Sequence, residues 1–288
     1  MAEPGALQQA TIAAANDAQA PLCRRWLPAA FARTGPAPEL LVASVDGGAC
    51  GALALEWCAG GFALHMHVEP GQRRRGIGSA LLAAAIALAR GETAALRAAA
   101  PVSQGSPAAA FLQARGFAVT RHLLVFDSDG ERYSATLTAL LRRAHKRVPP
   151  KTELVALAAT PAGVVAGLIA AEFDVPRYDV IAKLDPGHAD AYEQQLSQVL
   201  LHDGVAAGAI LGRRYGDTIE VDINVVTPAL RHGVANLMLL EAIGRLSRQA
   251  GVQRFRFSCE AHVSDTVHLG ERSSAQRLPD RLLYALTL

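Results

Sequence analysis

The sequence predicts a mixed α/β fold, helices packed on a mixed sheet, laid down twice along the chain. Three observations predict it. Between Phe62 and Arg90 an apolar strand (Phe62 to Val68) meets a turn at Glu69-Pro70-Gly71, a basic glycine loop and an apolar helix (Ser79 to Ala89). Around that run, strand-like and helix-like segments alternate, the order from which such sheets are built. From Glu153 onward the order returns, with Val226-Thr227-Pro228 standing where Val68-Glu69-Pro70 stands in the first half.

Taken in order, Leu22 to Arg33 places Leu22, Trp26, Ala29 and Ala30 at helical spacing with Arg24 and Arg25 outward. Glu39 to Val45 is an apolar strand ending in the hairpin signal Asp46-Gly47-Gly48, and Cys50 to Trp57 is its partner. Gly60-Gly61 turns the chain into the central strand. After the central helix come a short strand (Ala95 to Val102), Ser106-Pro107 as helix cap and first helical residue, and a helix Ala108 to Ala114. Arg115-Gly116-Phe117 ends that helix, and a strand follows from Ala118 to Phe126. Asp127 to Gly130 is polar and turn-rich. Tyr133 to Lys146 reads as an amphipathic helix with a basic, solvated face, stopped by Val148-Pro149-Pro150. The division expected is therefore a first domain over 1–130, a helical linker over 131–152 and a second domain over 153–288.

The second domain is expected to hold a strand Glu153 to Ala158, a helix Pro161 to Phe173 and a helix capped by Asp185-Pro186 running to Gln195. A hairpin about Asp203-Gly204 joins Ser197–Leu201 to Ala206–Leu211. The strand Ile219 to Val226 then leads through Arg231, His232 and Gly233 into a helix Asn236 to Gln249. A strand Arg254 to Glu260 and a closing strand Arg281 to Leu288 complete it, with no clear helix ending in Gly-Phe between them.

Composition bounds the function. The 288 residues are 51% hydrophobic and 19% charged, with a net charge of +2, which gives no general reason to expect nucleic acid or an anionic membrane as partner. The longest apolar run, Ile77 to Ala89, is too short to span a bilayer. Cys23, Cys50, Cys58 and Cys259 lack C-x-x-C spacing and read as thiols of a reducing cytoplasm. No secretory signal is visible at Met1-Ala2-Glu3-Pro4, so the expected location is cytoplasmic.

The loop Gln72-Arg73-Arg74-Arg75-Gly76-Ile77-Gly78 reads as an anion site. Glycine lets the backbone bend and approach a ligand, and the helix that follows offers unpaired N–H groups and the positive end of its dipole. Phosphate is the usual anion at such a place. The dinucleotide fingerprint fails, because Leu81 holds the third glycine position and no carboxylate stands near residue 98. The nucleoside-triphosphate loop fails as well, because no lysine follows the glycines. What fits is Val68-x-Pro70-x-x-Arg73-x-x-Gly76-x-Gly78-x-x-Leu81-Leu82, which resembles the acetyl-CoA signature of the GCN5-related N-acetyltransferase (GNAT) family. Ala108-x-x-Phe111-Leu112-x-x-x-Gly116-Phe117 resembles the family's second signature, so the likeness covers about Leu7 to Asp129.

The resemblance implies two tandem GNAT-like domains, the second degenerate because its loop is one residue shorter and keeps only Arg231 and His232. It implies acetyl-CoA as co-substrate, gripped by Arg73, Arg74, Arg75, Gly76, Ile77, Gly78 and Ser79 at the diphosphate. Met66 and Val68 of a splayed central strand would pair with the pantetheine. It implies direct attack by an amine on the thioester, the acceptor being a small molecule or a protein amino group, and leaves a homodimer open. Two departures stand out: the tyrosine many members use as general acid is Leu112 here, and an asparagine seven positions earlier is Gly105. For the general base the candidates are Glu56, His65 and His67 in the first domain and Glu220 in the second. His-x-His on one strand face also suits two metal ligands, but no third stands nearby, so no metal is expected. Glu220, Asp222 and Asn224 alternate and are expected to face one way. A non-catalytic acyl-CoA-binding or sensing module is the competing function.

Overall fold

The structure, a computed structural model, describes residues 10–31, 36–58, 61–173, 177–188, 191–231, 234–260, 264–273 and 275–288, with backbone alone at 177–179 and 264–265. Gly60, His232 and Gly233 of the expectations above lie outside them. The chain divides into two compact units: residues 1–102, 106–120 and 282–288 form the first, and residues 103–105 and 121–281 the second. Among the described residues no helix is long and apolar enough to cross a membrane.

The first unit contains β1 (Thr11–Ala14), α1 (Ala20–Trp26), β2 (Glu39–Val45), β3 (Gly48–Cys58), β4 (Gly61–Val68), α2 (Ile77–Ala89) and β5 (Ala95–Ala98). After β6 (Val102–Ser103) it continues with α3 (Pro107–Gln113) and the start of β7 (Ala118–Asp129). β1 to β4 are antiparallel neighbours in order, and β5 joins β4 in parallel. The hairpin at Asp46-Gly47 has φ of 52° and 77°, the left-handed pair that matches strand twist. Alternation along β4 sends Phe62, Leu64, Met66 and Val68 into a core with Ile77, Leu81, Leu82 and Ala85 of α2. The odd residues face the layer of α1, where Cys23 and Leu27 pack on Ala52 and Ala54. Gly51 lets α2 lie close, because a Cβ there would stand 3.0 Å from the His67 carbonyl oxygen and 3.3 Å from Leu81. α3 starts as expected: Ser106 Oγ accepts from the Ala109 N–H at 3.2 Å, and Pro107 holds the first turn. Gly116 at φ 83° ends it.

The second unit takes the rest of β7, then α4 (Gly130–Ala144), β8 (Thr152–Ala156), α5 (Ala162–Glu172), α6 (Arg177–Leu184), β9 (Gln198–His202) and β10 (Val205–Tyr215). It continues with β11 (Thr218–Val226), α7 (Ala235–Gln249), β12 (Arg254–Glu260), α8 (Ser264–Arg272) and the start of β13 (Gln276–Thr287). Its strands lie in the order β8-β9-β10-β11-β12-β7. The second hairpin, Asp203-Gly204, repeats the left-handed pair with φ of 50° and 77°.

Three expectations are corrected here. Residues 127–129 continue β7 instead of forming a turn, because β12 pairs with them and Arg254 and Arg256 neutralise the buried Asp127. The helix expected in a linker belongs inside the second unit: Asp129 caps it, Tyr133 and Leu137 are fully buried, and the Tyr133 ring stacks 4.2 Å from Phe255. A Cβ on Gly130 would stand 2.9 Å from the Gln253 carbonyl oxygen, so glycine is required where that helix begins. Among the described residues 185–188 and 191–195 there is no helix. The helix precedes Asp185 as α6, and the Asp185 carboxylate accepts from the Gly187 N–H in a turn that Pro186 helps break. Between β12 and β13 lies α8.

Among the described residues the Tyr133 hydroxyl has no partner, and burial pushes its pKa up. Since an unsatisfied buried hydroxyl is unfavourable by about 1–3 kcal/mol, Tyr133→Phe is expected to keep or raise the melting temperature. Tyr133→Ala should lower stability by about 3–5 kcal/mol in chemical denaturation, as aromatic truncations in cores do.

Candidate active site

The local sequence around β4 builds the site from backbone first. β4 pairs with β3 along its whole length, from Cys58↔Gly61 to Gly51↔Val68. With β5 it pairs only at Phe62, Ala63 and Leu64, and the last bond runs from the Ala99 N–H to the Leu64 carbonyl at 3.1 Å. Beyond Leu64 the two strands part. Backbone polar groups alternate along a strand, so Met66 and Val68 turn the same edge as Leu64 into the opening. Among the described residues the Val68 carbonyl finds a partner there, accepting from Arg73 Nε at 2.9 Å.

The loop closes one end of that opening. Pro70–Gln72 make a single 3₁₀ turn, Arg74 stands at φ 65°, and Gly76 caps α2 at φ 83°. The capping residue donates no side chain, so the first N–H groups of α2 stay available for an anion. Arg75 is steadied by Gln72 Oε1 at 2.7 Å. Among the described residues no carboxylate pairs with Arg73, Arg74 or Arg75. A hollow of about 420 Å³ between the β2–β3 hairpin and the loop is lined by Asp46, Cys50, Glu69, Gln72 and Arg75, among others. Cys50 is no nucleophile there: burial raises its pKa and its thiol donates to the Ala43 carbonyl at 3.3 Å. Ile77 is buried in the α2 core, so of the predicted loop residues it contributes backbone only. Ser79 accepts a hydrogen bond from Arg115, a residue that the sequence reading treated only as the end of α3.

On the opposite face of β4 lie Glu56, His65 and His67. Glu56 is 5% exposed and its Oε2 stands 3.0 Å from His65 Nε2. With an ionised carboxylate, which only accepts, Nε2 would be the donor of this bond, and in the neutral ring Nδ1 would then hold the lone pair. His65 follows Leu64, at the level where β4 and β5 separate. His67 stacks on Trp26 with ring centroids 5.3 Å apart, and its Nε2 is buried without a partner. Among the described residues no three His, Cys, Asp or Glu side chains gather around a point that could hold a metal.

The second unit repeats the parting. β11 pairs with β12 from Thr218↔Arg254 to Val221↔Phe257 and no further. Its polar residues are arranged otherwise than expected. A bulge, where Leu211 and Gly212 of β10 face Ile223 and Val221, leaves Asp222 as the extra residue. Before it Glu220 faces away from α7; after it Asn224 faces toward α7 and donates to Asn236 Oδ1 at 2.6 Å. The three side chains therefore do not share a face. Glu220 is held by Arg281 at 2.6 Å and stands 3.8 Å from Arg256, while Asp222 pairs with Arg213 at 2.8 Å. The hydrogen bond to Glu220 raises the pKa of Arg281. Glu220 is thus the centre of an ion-pair network. The loop cation Arg231 is likewise engaged, by the Glu172 carboxylate.

Residues 36–119 match the model of the acetyltransferase (GNAT) domain. No curated protein matches the sequence. Among solved structures, a tandem GNAT protein from the clavulanic acid biosynthesis pathway superposes with a TM-score of 0.67 at 20% identity, covering 97% of this chain and 98% of that one. A GCN5-related N-acetyltransferase from Sphaerobacter thermophilus gives 0.60 at 15% identity, with 96% and 95% covered. A putative acetyltransferase from Pyrococcus horikoshii gives 0.59 at 15%, with 100% and 92% covered. These likenesses are of fold.

A Cβ at Gly76 would meet nothing within 4 Å, so the requirement for glycine there is conformational. Gly76→Ala is expected to lower stability by roughly 1–2 kcal/mol through the left-handed φ alone, read as a shift in the denaturation midpoint. Gly78→Ala, inside the helix and with only ordinary contacts to Phe111, should be neutral or stabilising in the same measurement.

Proposed function

We propose that the protein is an N-acetyltransferase, a reading supported by the match of residues 36–119 to the acetyltransferase (GNAT) domain model and by the likeness in fold to a tandem GNAT protein. Acetyl-CoA is its acyl donor, held in the first unit. The acceptor is a primary amine of a small molecule or an amino group on a protein. The observation that carries this reading is the parting of β4 from β5 beside a loop whose three arginines have no carboxylate partner among the described residues.

The residues present suit that donor. The left-handed Gly76 exposes the first N–H groups of α2, and Arg73, Arg74 and Arg75 add positive charge for a diphosphate. The free edge at Met66 and Val68 offers backbone donors and acceptors to amides of an extended chain, as an added strand would find. When bound, acetyl-CoA supplies the thioester that the amine attacks. The protein's part is mainly to fix the two reactants, which can be worth about 7–11 kcal/mol. We assign His65 as general base. Glu56 holds its Nε2–H, and Nδ1 accepts the proton that an ammonium acceptor must lose. Glu56 is a positioning residue in this scheme. In the second unit both the loop arginine and Glu220 are neutralised internally, so we read that unit as a degenerate cofactor site and give Glu220 a structural role.

Arg73→Ala combined with Arg75→Ala is expected to weaken acetyl-CoA binding by about 10- to 100-fold in calorimetry, since each charge-assisted bond contributes about 1.5–3 kcal/mol before solvent screening. Unchanged affinity would remove the cofactor from this loop. His65→Asn should lower kcat by about 10²–10⁴-fold, the usual yield of a general base, while acetyl-CoA affinity is retained. Thiol release across an amine panel measures this, and Glu220→Gln should leave turnover largely intact. A loss with His67→Asn but not with His65→Asn would transfer the role to the second histidine.

A further inference from the structure

Arg115 is a cation that neither sequence motif accounts for. It follows α3, is exposed, and lies with its guanidinium carbon 5.7 Å from the centroid of the Phe111 ring. One of its terminal nitrogens donates to Ser79 Oγ in the first turn of α2. Phe111 itself rests against Gly78, with ring carbons 3.6 Å from where a Cβ would be. The end of α3 and the start of α2 thus meet over one aromatic ring, and a fourth arginine joins the three of the loop. No carboxylate pairs with it among the described residues; its partner is a neutral hydroxyl. A phosphate offers a stronger, charge-assisted bond and would displace that hydroxyl.

Position distinguishes this cation from the other three. Arg73, Arg74 and Arg75 precede the capping Gly76, where the unpaired N–H groups emerge. Ser79 lies three residues further, about 4–5 Å along the axis at ~1.5 Å per residue, and Arg115 reaches it from outside the helix. Two separated cationic points flanking an aromatic surface suit a ligand with two separated anionic groups on either side of a nucleoside. CoA is such a ligand, carrying a diphosphate and a separate ribose 3′-phosphate.

We propose that Arg115, seated on Phe111, binds the 3′-phosphate and makes the first unit select CoA over its 3′-dephosphorylated form. The proposal rests on the cofactor reading above and adds a specificity residue to it. Guanidinium on the ring face keeps the side chain extended toward α2, and Ser79 holds it there until the phosphate takes its place.

The test is calorimetric titration of the full chain with CoA and with 3′-dephospho-CoA. The wild type should bind CoA at least tenfold more tightly than the dephosphorylated form. Arg115→Ala should weaken CoA about tenfold or more and change 3′-dephospho-CoA by less than twofold, so that the ratio collapses. Arg115→Lys should recover part of the ratio, as a point charge replaces a fork. Equal weakening of both ligands by Arg115→Ala would overturn the proposal, as would a wild type that binds both equally tightly. Both of those results leave the cofactor reading standing, whereas a wild type that binds neither ligand removes both. Circular dichroism melting of each variant checks that the fold is retained.

Discussion

The rest of the structure depends on the incomplete pairing of β4. A strand buried in a sheet normally satisfies its backbone on both edges, because an unpaired N–H or C=O away from water is unfavourable. Here one edge is satisfied from Gly61 to Val68 and the other only as far as Leu64. The opening therefore carries polar backbone that must be met by solvent, by a side chain or by a ligand. Arg73 answers for one carbonyl. The same parting sets where everything else is useful: the loop at the end of β4 supplies charge, and His65 stands on the far face where the strands separate.

The two units show how the same backbone device acquires different chemistry. β11 parts from β12 after Val221 as β4 does from β5 after Leu64. In the first unit the loop arginines meet, among the described residues, a carbonyl and a glutamine amide. In the second, Glu172 takes Arg231, and Glu220 sits between Arg281 and Arg256. In each of these pairs both partners are already engaged, and removing either leaves the other charge without its compensation. Geometry alone is therefore a weak guide to which unit binds an anion; the partners of the cations decide it.

Much of this was legible in the sequence where the cause is local. Asp-Gly at both hairpins, Ser106-Pro107 at the start of α3, Gly116 at its end and the arginine–glycine loop each act through their own φ, cap or charge. Expectations failed where the cause is distant. Asp127 reads as a turn residue until Arg254 and Arg256, more than a hundred positions on, neutralise it. α4 reads as a solvated linker because its buried stripe of Tyr133 and Leu137 is short, and its partner Phe255 comes from another strand. The bulge at Asp222 depends on β10 being one residue short opposite β11, which neither strand reveals by itself. Glu56 and His65 could be named singly, but their pairing needed the register that sets Ala54 opposite His65 and Glu56 opposite Ala63. Arg115 was passed over because its contacts, Phe111 and Ser79, matter only once α2 and α3 are together.

The match to the family domain ends at residue 119, yet the sheet carrying the loop is not complete there. Residues 282–288 belong to the first unit: Ala285 pairs with Arg97, and Leu282 and Tyr284 enter the core shared by α2 and β4. The Tyr284 hydroxyl accepts from Gln113 at 3.0 Å across 171 residues of sequence. Without this strand β5 would present a bare edge directly behind the place where it leaves β4, and bare edges invite wrong pairings. A contact of such range closes a long loop of chain, an entropic cost that the pairing must offset. The anion loop is thus written in the first third of the sequence, while the neighbour that steadies the parted strand comes from its end. Excising residues 36–119 would keep every motif and lose the support that holds the opening in shape.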